Sequence, residues 1–391
     1  MKRFLSILFV FSLLLMLVSG CNQPVAPEPL PEPTPEAQPT TQPEPSPEPT
    51  PEVISLSIVS TIFPQYDWVR QILGDKADNM DLTLVINNRI DLHNFQPSVS
   101  DIVNISTSDL FIYVGGESDG WVEDALKQSV NPNMVVINLL ELLGDSVKFE
   151  EIIEGMDHDH CDDDDCDDET HDHSHSHDSC SADSHDDCDD DTHDHDHDHS
   201  DHDDHDDHVH HHGEIDEHVW LSLRNAVIFC NAITDALSTL DPDNAEVYRA
   251  NMIAYLEILA ALDTEYRTVV DAASVATLLF ADRFPFRYLV DDYGLRYYAA
   301  FPGCSAETEA SFSTIIFLAG KVDELELRNV MVTESADDSI ARTIISNTET
   351  GNQQILVLDS MQSANSTDWQ NGITFLSIME SNLDVLRQAL S

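Results

Sequence analysis

The side chains best suited to chemistry are concentrated between positions 157 and 212, where histidine, aspartate and cysteine alternate. Of the 19 histidines, all but His93 and His218 lie in this stretch, together with four of the seven cysteines and no Lys or Arg. Imidazole, thiolate and carboxylate groups in one segment are ligands for borderline divalent cations, zinc first among them. The composition therefore indicates metal capture, because an acidic spacer would need no histidine.

The same composition predicts that residues 157–212 form a disordered surface loop. The stretch has almost no apolar side chains, so burial cannot offset the conformational entropy that is lost on ordering, and its carboxylates repel one another. Such a loop can hold metal ions only at weak, flexible sites. A tight site then requires ligands from the rest of the chain.

The N-terminal end indicates export and a membrane anchor. Residues 1–20 have a basic start and an apolar run that ends in small residues, as in a secretory signal peptide. The tetrapeptide that ends at Cys21 resembles a bacterial lipobox, in which this cysteine becomes the lipidated first residue. Residues 21–52 are rich in Pro and Glu and predict a semi-rigid linker. We expect an extracytoplasmic protein that is lipid-anchored to the outer face of the cell membrane.

Net charge and cysteine count limit the kind of partner and the number of disulfides. A formal net charge of -57 argues against nucleic acid as a partner and favours cations. Cys230 and Cys304 are the only cysteines of the predicted folded region. In a disulfide-permissive compartment they are candidates for one disulfide, and two unconnected buried thiols are the alternative.

The sequence predicts alternating strands and helices, and these elements must position any site. Short buried runs at 53–60, 80–86, 110–116 and 134–139 predict four strands, and four more follow at 276–280, 295–301, 329–333 and 354–359. A helix of about 28 residues near 244–271 would span roughly 40 Å, and a final helix is predicted over 368–389. The pattern predicts two α/β lobes, each a parallel sheet flanked by helices, joined by one long rigid helix.

Several motifs carry a resemblance to a known family. From about residue 53 onward the chain resembles the zinc and manganese solute-binding lipoproteins of ABC importers, the ZnuA/TroA type or cluster A-I. The motifs are STIFPQYDWVRQILGD (60–75), DLHNFQPSVSDI (91–102), DLFIYVGGESDGWVEDAL (109–126), DEHVWLSLRNA (216–226), DPDNAEVYRAN (241–251) and LVLDSMQS (356–363). A His-rich loop before the second metal histidine is typical of the zinc-specific members. The resemblance implies an N-terminal lobe 53–240, a linking helix 241–271, a C-terminal lobe 272–391 and a metal ion in the cleft between the lobes.

The resemblance also implies a set of metal ligands. His93 and His218 match the first and second ligand positions, and Asp359 matches the carboxylate of the C-terminal lobe. The third position departs from the family pattern, because a gapless match places Arg283 there, and arginine cannot ligate a metal. Asp282 is then the nearest substitute, and Glu334 is a second candidate. For Asp282 the alternative is an ion pair with Arg283 or Arg287.

The function implied by the resemblance is a zinc receptor without enzymatic activity. The monomeric protein would capture Zn²⁺ and deliver it to an ABC permease that is driven by an ATPase, with Mn²⁺ as the runner-up metal. Two alternatives belong to other classes: a surface metal-buffering or adhesive lipoprotein in which the loop is the function, and an exported zinc hydrolase. The hydrolase is disfavoured because the sequence has no HExxH and no nucleophile motif.

Overall fold

The computed structural model describes residues 55–156, 213–305 and 309–391. The predictions for the signal peptide, the lipidation of Cys21, the 21–52 linker and the 157–212 loop lie outside these residues. Among the helices that the described residues form, none combines the length and the hydropathy that a membrane crossing requires.

The first half of the fold is a parallel sheet of four strands in the order β2-β1-β3-β4. Its strands are β1 Ser57–Ser60, β2 Asp81–Leu84, β3 Leu110–Tyr113 and β4 Val135–Asn138. Its helices are α1 Phe63–Leu73, α2 Val99–Thr107, α3 Val122–Lys127 and α4 Leu139–Leu143. All four predicted strands are present, whereas α4, a helix of five residues, was not predicted.

The second half repeats this topology, with the strand order β6-β5-β7-β8, again all parallel. Its strands are β5 Thr277–Phe284, β6 Arg296–Pro302, β7 Asn329–Thr333 and β8 Gln354–Leu358. Its helices are α7 Arg287–Tyr293, α8 Phe312–Glu324, α9 Ser339–Ser346, α10 Ser366–Gln370 and α11 Phe375–Ala389. The predicted fold class, two parallel sheets flanked by helices, is confirmed.

Two helices connect the halves. They are α5, Leu223–Leu240, and α6, Ala245–Asp271. The second has 27 residues and is the long helix that the sequence predicted. It packs on α5, on α1 of the first half and on α11 of the second. One continuous core cluster extends from the first sheet to one face of the second, and a smaller cluster lies beneath α8 and α9. The shared core ties the two sheets together through buried apolar contacts.

The C-terminal helix predicted over 368–389 is wrong in one respect. The structure divides it into α10 and α11, with Gly372 at φ +88° between them. Thr374 then caps α11, since its side chain accepts a hydrogen bond from the Ser377 N–H and Ser377 reciprocates. A left-handed glycine followed by a capping box ends one helix and starts another.

Candidate metal centre

The carboxyl ends of the two sheets carry most of the predicted site residues. In each sheet the first strand lies between the second and the third, so the crossovers change direction there, where open α/β sheets bind ligands. The residues at these ends are His93 after β2, Ser118 after β3, Asp282 and Arg283 in β5, Cys304 after β6, Glu334 after β7 and Asp359 after β8. His218 reaches the same place from the segment before α5.

The imidazole rings of His93 and His218 meet at their Nε2 atoms. These atoms are 3.2 Å apart, and the ring planes are inclined by 62°. A tetrahedral zinc ion bound at about 2.0–2.1 Å by each nitrogen would hold the two nitrogens about 3.3 Å apart. The two histidines therefore already have the separation that a shared zinc ion needs.

The opposite nitrogen of each ring is held by a polar partner. His218 is fully buried, and its Nδ1 lies 3.0 Å from Asp216 Oδ1. His93 Nδ1 lies 2.7 Å from Ser118 Oγ and 3.4 Å from Glu217 Oε2. Metal-bound histidines almost always donate their second N–H to a carboxylate or another oxygen. These contacts suit the tautomer that carries its proton on Nδ1, in which Nε2 of each ring is available to bind a metal.

The environment separates the pKa values of the two histidines. Burial and the neighbouring His218 lower the pKa of His93 to about 3. Burial also acts to lower the pKa of His218, but the negative charge of Asp216, with smaller contributions from other carboxylates, outweighs burial and raises it. His93 is therefore neutral at neutral pH, whereas a metal at His218 competes with a proton.

Local backbone geometry explains how the chain holds these rings. His93 lies in a single 3₁₀ turn, Leu92–Asn94, and Asp91 caps this turn by accepting the His93 N–H at 3.1 Å. Gly116 has φ +85°, and a Cβ at this position would collide with the carboxylate of Glu217. Glycine is needed there both for the backbone angle and for the space that Glu217 occupies beside His93.

A cysteine completes the cluster. Among the described residues, His93, His218 and Cys304 are the one group of three or more His, Cys, Asp or Glu whose ligand atoms all lie within 4.8 Å of one another. The predicted disulfide between Cys230 and Cys304 is wrong, since both are free thiols. Cys230 is fully buried in α5, whereas Cys304 lies beside Glu150 at the carboxyl end of β6. The alternative of two unconnected buried thiols holds for Cys230, whereas the unconnected Cys304 is partly exposed.

The predicted carboxylate ligands of the second half lie outside that cluster. Glu334 accepts hydrogen bonds from the backbone N–H and the hydroxyl of Ser360, at 2.8 and 2.9 Å. Ser360 in turn contacts Gln362, whose Nε2 lies 2.9 Å from His218 Nε2. Burial and the charge of Glu334 raise the pKa of Asp359 to about 7. The structure thus links Glu334 to the histidines through two side chains rather than directly.

Asp282 and Arg283 have other partners. Asp282 Oδ2 accepts hydrogen bonds from the backbone N–H and the hydroxyl of Thr333, so this oxygen is used within the second sheet. Neither Asp282 nor Asp359 nor Glu334 brings an oxygen within 4.8 Å of all the clustered donors. The alternative ion pair of Asp282 with an arginine is also not formed, because Arg283 bonds to Asp91 at 2.7 Å and Arg287 pairs with Glu151 at 3.1 Å.

The carboxyl edges of two similar α/β halves meet over His93 and His218, which defines a two-lobed fold with a candidate metal centre between its sheets. The chain belongs to the ZnuA family, described as "Zinc-uptake complex component A periplasmic", whose sequence model matches residues 58–389. By this description, members of the family are periplasmic components of a zinc-uptake complex.

Similar proteins carry names of the same kind. The chain is 28% identical to the "High-affinity zinc uptake system protein ZnuA" of Bacillus subtilis, over 86% of this chain and 88% of that protein. It is 27% identical to the "Zinc-binding lipoprotein AdcA" of Streptococcus pneumoniae, over 85% of this chain and 55% of that protein. The chain thus spans little more than half the length of the AdcA relatives.

Solved structures show the same fold. The Zn(II)-bound ZnuA-like domain of Streptococcus pneumoniae AdcA aligns with a TM-score of 0.59 and 24% identity, over 86% of this chain and 99% of that one. The metal-dependent lipoprotein YcdH of Bacillus subtilis aligns with a TM-score of 0.60 and the same identity and coverage.

The sequence did not identify five residues as part of the centre. Asp216 and Glu217 directly precede His218, and two carboxylates beside a candidate ligand were a signal that could have been used. Cys304 was noted only as a disulfide candidate. Ser118 and Gln362 lie within two of the family motifs, but their roles could not be assigned, because their positions depend on how the two sheets meet.

Proposed function

We propose that this protein is the zinc receptor of an ABC-type metal importer, which captures Zn²⁺ between its two lobes and performs no chemistry on the ion. The observation that carries the proposal is the 3.2 Å separation of the two Nε2 atoms, each on a ring whose Nδ1 is held by an oxygen. This separation matches that of two nitrogens bound to one tetrahedral zinc ion.

His93 and His218 are the ligands to which this geometry gives the strongest support. Asp359 and Glu334 supply negative charge on the side of the second half, and either can enter the shell if Gln362 moves away from His218. Burial and the charge of Glu334 raise the pKa of Asp359, and a nearby cation would oppose both effects. Asp282 has the weakest support, because Thr333 already uses its Oδ2.

The proposal extends to partners and location. Zinc would pass to a membrane permease with a cytoplasmic ATPase, and a lipid on Cys21 would hold the monomeric receptor at the outer face of the membrane. Within this proposal the lobes are 53–240 and 272–391, with the helix 241–271 between them. The 157–212 loop would collect ions at weak sites. Names given to the relatives support zinc as the cargo.

The test is a calorimetric zinc titration of the full chain in the presence of a chelator that competes with weak sites. We expect one tight equivalent, which His93→Ala and His218→Ala each weaken by at least about 100-fold, because losing a direct ligand costs more than losing its outer partner.

The loop histidine His158 offers a matched control for the same chemical change. His158→Ala should leave the tight equivalent unchanged and alter only the weak binding that appears without the chelator. If either His93→Ala or His218→Ala still binds one equivalent of zinc tightly, the proposal is contradicted.

A further inference from the structure

We infer that Cys304 is the third protein ligand of the zinc ion and the residue that makes the site select zinc over manganese. The inference rests on the proposed function, since it assigns one more ligand to the same centre. Its basis is the cluster of His93 Nε2, His218 Nε2 and Cys304 Sγ, all within 4.8 Å of one another.

The loop that carries Cys304 is built against the histidine. A Cβ on Gly303 would lie 3.2 Å from His218 Cε1, 3.3 Å from Glu150 Oε1 and 2.9 Å from the carbonyl oxygen of Phe284. Only a residue without a side chain lets the backbone come this close. The Cys304 N–H then donates to Glu150 Oε1 at 2.7 Å, which fixes the loop beside the ring.

A second feature indicates that the cluster is prepared for a cation. Glu217 is 2% exposed, and its Oε2 has no hydrogen-bond partner among the described residues although it lies 3.4 Å from His93 Nδ1. A buried carboxylate oxygen without a donor is costly. A metal on Nε2 would add positive charge to the His93 ring beside this oxygen, and that charge would offset the cost.

The required movement is small. A tetrahedral zinc ion with Zn–S of about 2.3 Å and Zn–N of about 2.0–2.1 Å places sulfur about 3.6 Å from each nitrogen. Because the three donor atoms already lie within 4.8 Å of one another, the sulfur must approach each nitrogen by at most about 1.2 Å. Gln362 leaves His218 Nε2 as the ion enters, and the thiol proton is released to solvent when the Zn–S bond forms.

The chemical consequence is selectivity. Arg283 occupies the position where the family resemblance implies a ligand, and it is paired with Asp91 instead. Thiolate is a soft donor that suits zinc, whereas manganese prefers carboxylate and water oxygens. A centre of two imidazoles and one thiolate therefore discriminates against manganese more strongly than two imidazoles and carboxylates would.

The test uses the full chain under reducing conditions, with the four loop cysteines (Cys161, Cys166, Cys180, Cys188) replaced by serine. X-ray absorption at the zinc edge should show one sulfur at about 2.3 Å, and cobalt should give a thiolate-to-metal charge-transfer band. Cys304→Ser should abolish both signals and weaken zinc binding at least about tenfold, with manganese affinity changed less than about threefold. Cys304→Asp should restore binding but lower the zinc-to-manganese affinity ratio.

Cys230→Ser is the matched control, because Cys230 is a buried thiol outside the cluster, and this variant should retain the sulfur signal. Tight zinc binding that depends on His93 but shows only nitrogen and oxygen neighbours would overturn the role of Cys304 and leave the zinc receptor intact. Tight binding that is absent, or indifferent to His93→Ala, would overturn both.

Discussion

Arg283 of the second sheet donates a hydrogen bond to Asp91 of the first half at 2.7 Å, and the other oxygen of Asp91 accepts the backbone N–H of His93. The arginine and the carboxylate are 17% and 16% exposed, so neither charge is well solvated. This pair joins the turn that carries the first histidine to the strand where the family resemblance implies a ligand.

Asp91→Asn should weaken zinc binding roughly tenfold. The asparagine retains an acceptor for the His93 N–H, but the partly buried guanidinium is left without its counter-charge close to the histidines. The double variant with Arg283→Gln removes that charge and should recover affinity to within about threefold of the native protein. Calorimetric titrations of the native protein, the two single variants and the double variant form the cycle.

Asp282→Asn is the matched control for that cycle, because Asp282 is the next residue to Arg283 and its Oδ2 accepts from Thr333. It should change zinc affinity by less than about threefold. A larger loss would return Asp282 to the list of ligands. Failure of the double variant to recover would show that Asp91 acts through the position of His93 and not through its charge.

Asp67 should make the unfolding free energy depend on pH. It is fully buried in α1, and its oxygens accept from Trp369 Nε1 at 3.1 Å and from the Phe375 N–H at 3.0 Å. Burial raises its pKa to about 6, so between about pH 4 and 6 the folded state holds a proton that the unfolded state has lost. The stability that this bound proton contributes is fully present below the pKa of Asp67 in the unfolded state. It is lost as the pH rises through about 6.

The measurement is urea unfolding at several pH values for the native protein and Asp67→Asn. The asparagine does not titrate. The free energy of unfolding of the native protein, relative to that of Asp67→Asn, should therefore fall by about 2.4 kcal/mol between pH 4 and pH 7. A difference that is flat with pH would show that the buried carboxyl is ionised throughout.

The hydrophobic pattern of the sequence predicts the two sheets but not the residues of the metal centre. All eight strands follow from buried runs, since burial on both faces of a parallel sheet leaves an apolar stretch that is visible in sequence. The division at Gly372 was missed because the residues on both sides are compatible with a helix. Cys304 could not be assigned, because its loop meets Glu150 only after two segments 154 residues apart fold together.

Deletion of residues 157–212, with a short Gly/Ser linker from Met156 to Gly213, should keep the tight zinc site. The chain on both sides of the gap is already paired, since the Glu150 N–H donates to the Glu214 carbonyl at 2.8 Å and Phe149 bridges to Ile215. Zinc titration of the deletion variant should show that the weakly bound zinc is lost and that one tightly bound equivalent of zinc remains. The unfolding temperature of the metal-depleted protein should be nearly unchanged. Loss of the tight equivalent would make the loop part of the receptor's site.

The central claim is that one zinc ion lies between His93 and His218, and anomalous diffraction from crystals grown with zinc tests it most directly. Data collected at the zinc absorption edge should give one strong peak about 2.0–2.1 Å from the Nε2 atoms of both residues. A strong peak bound by other side chains, or no peak between the two rings in crystals that contain zinc, would contradict the account.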